Sequence, residues 1–352
     1  MSTLPSVLPS ALTTGLTPDP KQAPAIRWGI LGAGGIASAF ATAVTQRTNS
    51  TIAAVGSRDA ARAQEFAAKN LGDRASEAAI YGSYEDLVAD ASIDAIYVAT
   101  PHSHHREHAL LAINAGKHVL VEKAFTRNFG EAQDILDAAK ARGVFVMEAM
   151  WTRFLPHIAA VHDLINRGEI GEILTLTADH GQYFAYDREF RLYNPELAGG
   201  AMLDLGVYPV SFAHDFLGVP QSITSRSELT QDVVDGQVAM IFEYAGKAQA
   251  LLHTTLWSRT PTTASIMGTK GRIDIAGNFY SPTSFEVIMY TGEVSRYERD
   301  DILGLEFEAA ELARCVAAGL TESPLMTWQN TLDVMATMDQ VRQQAAVVYP
   351  GE

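Results

Sequence analysis

Lys123, Asp204 and Tyr208 are the residues whose types and spacing speak most directly of chemistry. Asp204 and Tyr208 stand four apart in Gly199-Gly200-Ala201-Met202-Leu203-Asp204-Leu205-Gly206-Val207-Tyr208, so on a helix they share one face. Lys123 follows Glu122 at the end of the apolar run from Lys117 to Val121. A lysine at a buried strand end serves a cleft, reaches solvent or pairs with Glu122. A carboxylate, a phenol and an ammonium converging on one pocket is what proton exchange with a substrate hydroxyl requires. A free phenol ionises near pH ~10, and an ammonium in a partly dry cleft brings that closer to neutrality. The plainer alternative is a core helix with Tyr208 packed by its ring.

A second constellation is Gly32-Ala33-Gly34-Gly35-Ile36-Ala37, directly after the apolar run Ile26–Leu31 and before a helix-like stretch reaching Gln46. Gly32 suits a tight turn off the strand. Gly34 has no Cβ, so a pyrophosphate can approach the backbone, and Ala37 lets the helix pack closely on the strand. The helix N-terminus, with Gly35 and Ile36 in its first turn, then points free N–H groups at the phosphates. That order of strand, glycines and helix is the context in which the motif reads as a dinucleotide site. Cofactor choice falls at the end of the second strand, where the chain has Gly56-Ser57-Arg58-Asp59. Small Ser57 leaves room and Arg58 can pair with a ribose 2′-phosphate, which favours NADP while leaving NAD possible. Otherwise Arg58 is a solvated loop residue and Asp59 caps its helix.

Thr100-Pro101 and Glu122-Lys123 end the fourth and fifth strands and face the cleft in which open α/β sheets bind ligands. The run from His102 to His108 invites a metal reading, since His104 and His108 are four apart. It offers no cysteine partner and no H-E-x-x-H pattern, so we expect no metal but a cleft-facing histidine beside solvated ones.

The elements that position these residues alternate between Ile26 and Glu148. Strands are predicted at Thr51–Val55, near Ala79–Tyr81, at Ile93–Ala99, Lys117–Val121 and Val144–Met147. Helices lie between them, one from His104 to Ala115 and one opened by Asn128 with Glu131 and closed by Gly143. Repeated strand–helix units specify a doubly wound parallel sheet. After Trp151 the pattern changes. A helix over Leu155–Arg167 and another starting near Gly199-Gly200 precede strands at Ile223–Leu229, Gln237–Tyr244, Gln249–Trp257, Ala264–Met267, Arg272–Ile275 and Phe285–Tyr290. Val238, Met240, Phe242 and Tyr244 alternate with Ala239, Ile241 and Glu243, as in a sheet with one face on a core. Helices over Leu305–Ala318 and Trp328–Ala346 finish the chain. The expectation is a Rossmann domain over 26–148 and an α+β domain with an open, largely antiparallel sheet over 149–352. The Pro/Ser/Thr-rich residues 1–25 read as a disordered leader or an arm packing on a neighbouring subunit.

Composition sets further bounds. The chain has 352 residues, 47% of them hydrophobic, enough for two sizeable cores. Lys+Arg 26 against Asp+Glu 41 gives −15, and there is no basic cluster, which argues against nucleic acid or an anionic membrane as partner. The single cysteine, Cys315, cannot form an internal disulfide and reads as a core residue in a reducing compartment, the cytoplasm.

Together the segments GILGAGGIA at 29–37, Thr100-Pro101 through His105, GKHVLVEKA at 116–124, GGAMLDLGVY at 199–208 and GTKGRI at 268–273 resemble the glucose–fructose oxidoreductase/inositol dehydrogenase (Gfo/Idh/MocA) family. The resemblance covers essentially everything after residue 25. Glu148 through Phe154 further resembles the subgroup of dimeric dihydrodiol dehydrogenases and NADP-dependent D-xylose dehydrogenases. It implies that Lys123 is the lysine of the family's E-K-P motif, with Ala124 in place of proline. Tyr208 stands where this subgroup carries its acid/base tyrosine, and Asp204 matches the aspartate of the same motif. His102 replaces a common asparagine near the nicotinamide, beside Thr100, Pro101 and His105. The implied activity is hydride transfer between NADP or NAD and a hydroxyl-bearing carbon of a sugar, polyol or cyclic diol. Tyr208 would exchange the proton, Lys123 orient the oxygen and Asp204 position the pair. Trp151, Arg153, Phe154 and Tyr183, with Phe184 and Tyr186, are the expected specificity residues. Homodimers or homotetramers through the open sheet face are implied as well. The competing reading is a non-catalytic sensor of dinucleotide or sugar, against which the presence of both Lys123 and Tyr208 argues.

Overall fold

The N-terminal segment is folded onto its own chain. The computed structural model describes residues 4–352, and in it β1 (Val7–Leu8) pairs in parallel with β15 (Val294–Tyr297). Next comes α1 (Ala11–Thr14), whose Leu12 N–H is accepted by the Ser10 hydroxyl. Leu8 and Ala11 are buried, and the Ala11 N–H donates to the Tyr297 hydroxyl at 3.3 Å. The segment is thus ordered where the sequence reading has a disordered leader as one of its two alternatives. The free edge of β15 supplies backbone partners, and the apolar residues find a seat beside it. The first three residues of that expected leader lie outside the described residues.

The chain divides into two compact units, Asp19–Met150 with Leu303–Leu332, and the remainder. The first is built on a six-stranded parallel sheet in the order β4 (Ala79–Tyr81), β3 (Thr51–Gly56), β2 (Arg27–Leu31), β5 (Ala95–Val98), β6 (His118–Glu122), β7 (Val146–Ala149). Its crossovers are α2 (Gly35–Arg47), α3 (Ala60–Asn70), α4 (Tyr84–Ala89), α5 (His105–Asn114) and α6 (Phe129–Arg142). All four residues of β5 are buried, as a strand covered on both faces must be. On one side of it Phe40 stacks on Tyr97 at 3.9 Å and meets Trp28 edge-on at 5.1 Å. This unit ends at Met150, where the sequence reading sets its boundary at 148/149, and the end of the chain is shared between the two units. Helix α9 (Leu305–Ala317) packs on α2 of this unit rather than on the second sheet. Small buried residues, Ala309 and Ala313 on α9 and Ala37 and Ala41 on α2, suit two helices lying close together.

The second unit holds a nine-stranded mixed sheet in which β1 and β15 are followed by β14 (Phe285–Met289), β13 (Gly271–Ile275), β12 (Ala264–Gly268), β8 (Ile173–Gly181), β11 (Gln249–Thr255), β10 (Asp235–Glu243) and β9 (Ser222–Leu229). Only β1 with β15 and β8 with β11 run parallel. The expected alternation in β10 is observed: Val238, Met240 and Phe242 are buried, while Ala239, Ile241 and Glu243 are exposed. The inner face carries α8 (Val207–Leu217), which packs on β8; α7 (Pro156–Asn166) and most of α10 (Trp328–Ala345) belong to the same unit. Strand β8 was not anticipated, although it sits near the middle of the sheet. Among the described residues no helix is long and apolar enough to cross a membrane.

Candidate active site

In the Rossmann unit Gly32 has φ +106°, and a Cβ there would lie 2.9 Å from the Ala99 carbonyl oxygen, so the tight turn requires glycine. Gly34 caps α2 without a side-chain hydrogen bond, leaving the amides of its first turn open. A Cβ on Gly35 would meet nothing, and one on Gly34 nothing closer than 3.9 Å. Open space above the free amides of a thirteen-residue helix suits a pyrophosphate, so these residues fit a dinucleotide. Ile36 is partly exposed at the rim, and Ala37 is fully buried against the sheet. At the end of β3, Ser57 is buried and Arg58 exposed. Asp59 accepts the Ala61 N–H at 2.8 Å as the cap of α3, beside the exposed cation of Arg58.

The strand ends beside this turn are tied to one another. The Tyr97 hydroxyl donates a short hydrogen bond to Glu122, whose other oxygen accepts the Lys123 amide at 3.1 Å. The peptide bond from Lys123 to Ala124 is cis. His102 Nε2 lies 3.3 Å from the Lys123 carbonyl. His105 is buried between the Thr100 carbonyl, 2.7 Å from Nε2, and the Ala124 and Phe125 carbonyls, 3.0 and 3.2 Å from Nδ1. Burial pushes it down to about 4 against the pull of those carbonyls, and a neutral ring donates to only one of the two sides. His104 and His108 stack at 5.5 Å, and His108 Nδ1 contacts the Thr100 hydroxyl at 2.9 Å. Among the described residues no group of three or more His, Cys, Asp or Glu could hold a metal ion.

In the second unit Pro209 explains the local shape around Tyr208. Proline has no N–H to give, and its ring crowds the carbonyl four residues back, at Leu205. The helix accordingly opens with a π-helical turn, Met202–Gly206, before α8 begins. Tyr208, 7% exposed, lies among aromatic rings, with Tyr280 centred 4.4 Å away and His180 5.3 Å away. His180 stacks on Tyr280 at 4.4 Å, and Trp151 meets Tyr280 edge-on at 6.2 Å. The Trp151 indole N–H donates to the Tyr208 hydroxyl oxygen at 3.2 Å. Asp204 is held through both oxygens by Arg191, at 2.9 and 3.1 Å. Tyr280 is raised above the ordinary phenol range, first by burial and then by the Asp204 charge.

The expected substrate residues therefore separate. Trp151 reaches Tyr208. Arg153 instead turns inward to Asp215, 3.4 Å away, and to Ser211, with 6% of its side chain exposed. Phe154 is buried, whereas Tyr183 is 66% exposed and Tyr186 donates to Asp232 on the surface. Phe184 packs on the cluster of Leu192, Tyr193 and Leu205. Arg153 and Phe154 thus turn into this unit, a placement their sequence neighbourhood does not reveal. Sequence reasoning missed His180, Arg191 and Tyr280. His180 was within reach: Leu176, Ala178 and His180 alternate inward against Thr175, Thr177 and Asp179, the period of a half-buried strand. Tyr280 and Arg191 lie in loops with no periodic signal.

Comparison with known proteins agrees with this architecture. The family model described as "Oxidoreductase family, NAD-binding Rossmann fold" matches residues 26–150, and that of the GFO/IDH/MocA C-terminal domain matches residues 158–274. The D-xylose 1-dehydrogenase (NADP(+)) of Hypocrea jecorina is 33% identical over 92% of this chain and 93% of its own length. The trans-1,2-dihydrobenzene-1,2-diol dehydrogenase of Xenopus tropicalis is 34% identical over 93% of this chain and 100% of its own. In fold the chain is similar to a 3-ketoreductase of Actinomadura kijaniata solved with NADP and TDP-benzene, at a TM-score of 0.79 and 24% identity, covering 90% of this chain and 97% of that one. It is equally similar to an aldose–aldose oxidoreductase of Caulobacter crescentus, at 0.80 and 21%, covering 91% and 97%.

Proposed function

Because the chain belongs to the Gfo/Idh/MocA family and is an NAD(P)-dependent oxidoreductase, we propose that it moves hydride between NADP and a hydroxyl-bearing carbon of a sugar, polyol or cyclic diol. The observation that carries this reading is the setting of Tyr208. Its oxygen accepts the Trp151 N–H, which orients the hydroxyl whose proton would be exchanged with a substrate oxygen. The half-buried ring of Tyr280 beside it, with His180 stacked on it, suits the C–H face of a sugar ring or the ring of a diol. Lys123 supplies the ammonium that orients the substrate oxygen and steadies its negative charge. Asp204, committed to Arg191, acts by position rather than by proton transfer.

The amides at Gly34, Gly35 and Ile36 hold the pyrophosphate, with Gly32 giving the turn. Ser57 and Arg58 take the 2′-phosphate. Thr100, Pro101, His102, His105, Glu122 and Lys123 shape the rim at the nicotinamide end. When bound, the nicotinamide supplies the hydride chemistry at its C4, and the protein contributes alignment and proton exchange.

The sheet's outer face exposes Ala239, Ile241 and Leu251 side by side on β10 and β11, which supports self-association there as a homodimer or homotetramer. Cys315 is buried, and burial with nearby Glu311 pushes its thiol up to about 12, so it is inert in the reducing cytoplasm where we place the enzyme.

The deciding experiment follows the absorbance of reduced cofactor with NADP or NAD against D-xylose, other aldoses, polyols and cyclic trans-diols. Turnover with one member of that panel, faster with NADP, is expected. Tight NADPH binding without turnover across it would favour a sensor.

A further inference from the structure

Asp235 opens β10, is 1% exposed, and takes no part in the chemistry proposed above. Its Oδ2 accepts the N–H of Met202 at 2.6 Å, and Met202 is the first residue of the π-helical turn that carries Asp204 and leads into Tyr208. That turn has no capping side chain of its own; Ala201 precedes it. The leading amide is thus satisfied by a carboxylate 33 residues further along the chain. Asp235 Oδ1 is buried as well and receives no hydrogen bond.

The Gly199-Gly200 pair makes this approach possible. Gly200 has φ +112°, and a methyl on it would collide with Asp235 Oδ1. A Cβ on Gly199 would lie 2.7 Å from the carbonyl oxygens of Arg191 and Leu192. From the other side the Tyr349 hydroxyl donates to the Gly199 carbonyl at 2.7 Å, and Arg342 lies over the Tyr349 ring, 5.0 Å from its centre.

We propose that Asp235 is a positioning residue for Tyr208: its carboxylate clamps the leading amide of the π-helical turn and so sets where the phenol stands. This rests on the reading of Tyr208 as the acid/base. A carboxylate at a helix start is favoured by the amides and dipole it faces, but burying its charge is costly. The groups that face it are Arg342 of α10, Tyr349 of the C-terminal segment, and the amides of Ala201, Met202 and Asp235 itself. Arg342 is in turn shared with Asp339 and Glu352. Burial is the largest influence and raises Asp235 to about 7. The folded value lies above the ordinary carboxyl value of about 4, so the stability this group contributes is complete below pH ~4 and is lost as pH rises through 7. In the charged state the bond to Met202 is charge-assisted and the clamp is tightest.

The test compares full-length wild type, Asp235→Asn, Asp235→Ala and Tyr208→Phe with NADP and D-xylose, or with trans-1,2-dihydrobenzene-1,2-diol if the sugar is not turned over. Active enzyme is counted by NADPH binding. Asp235→Ala should lower kcat about tenfold with little change in NADPH affinity, while Asp235→Asn, which keeps an acceptor for Met202, should recover most of that loss. The wild-type kcat–pH profile should rise through about pH 7, and the Asn variant should lack that limb. The Tm of the Asn variant should also gain on that of wild type as pH is raised from 4 to 8. An Ala variant with wild-type kcat overturns the proposal. If the Ala variant does not fold, an Asn variant with both the wild-type profile and the wild-type dependence of Tm on pH overturns it. Near-normal turnover in Tyr208→Phe with a slow Asp235→Ala fails the reading of Tyr208. A dead Tyr208→Phe with a normal Asp235→Ala fails the clamp alone.

Discussion

In the Rossmann unit each candidate residue stands within a few positions of the local signal that placed it. Gly32 to Ala37 follow β2 directly, Ser57 and Arg58 end β3, and Glu122 and Lys123 end β6. In the second unit Tyr208 is placed by partners far along the chain. Trp151 is 57 residues before it, Tyr280 lies in a later loop, and Tyr349 braces Gly199 across 150 residues. The candidate residues of the Rossmann unit are thus placed by backbone geometry at strand ends. Those of the second unit are placed by packing, and substitutions remote in sequence should disturb only those.

The largest effect expected is on proton exchange itself. Tyr208→Phe and Lys123→Met should each cut kcat by at least about a hundredfold, the scale of lost general acid–base catalysis. NADPH binding should survive Tyr208→Phe, and the double variant should be little slower than the worse single one, because the two groups serve one step. Steady-state kinetics with fluorescence titration of NADPH would check this; full additivity would mean the lysine serves another purpose. Next in size, Arg58→Ala should weaken NADPH binding roughly ten- to a hundredfold and leave NADH nearly unchanged, since only a charge-assisted phosphate contact is lost. Equal losses for both cofactors would remove Arg58 as the phosphate reader. A smaller change should follow Trp151→Phe, which keeps an aromatic ring but removes the N–H on Tyr208. Loss of one neutral hydrogen bond corresponds to about a fivefold drop in kcat, with NADPH affinity untouched. A change confined to cofactor binding would break the contrast between the two units.

The last expected effect is on stability rather than on activity and concerns the N-terminal segment. Removal of residues 1–18 would take away β1, α1 and the buried side chains of Leu8 and Ala11, and would uncover the edge of β15. A loss of about 2–3 kcal/mol, or roughly 5–10 °C in Tm, is expected for a unit of this size, with cofactor affinity unchanged. Calorimetry of the truncated protein decides between this and an inert leader, whose loss would leave Tm in place.

The doubly wound sheet, its strand ends and the dinucleotide turn were legible because their determinants are local. A tight turn needs glycine where φ is positive, as at Gly32, and a strand covered on both faces needs a run such as Ala95–Val98. The alternation along β10 likewise told which residues face the core. The pairing of Asp204 with Arg191, the inward turn of Arg153 and the ring cluster around Tyr208 were not legible. Periodicity says that a side chain is buried but not which distant partner it meets. Helix α9 shows the same limit: its apolar face would suit either sheet, and only docking on α2 chose between them. The sequence by itself therefore determined that this chain builds a nucleotide-binding sheet and carries a lysine and a tyrosine fit for proton chemistry. Tertiary structure alone decided what holds that tyrosine, because Trp151 and Tyr280 are brought to it, and Asp235 to the turn before it, from separate stretches of chain.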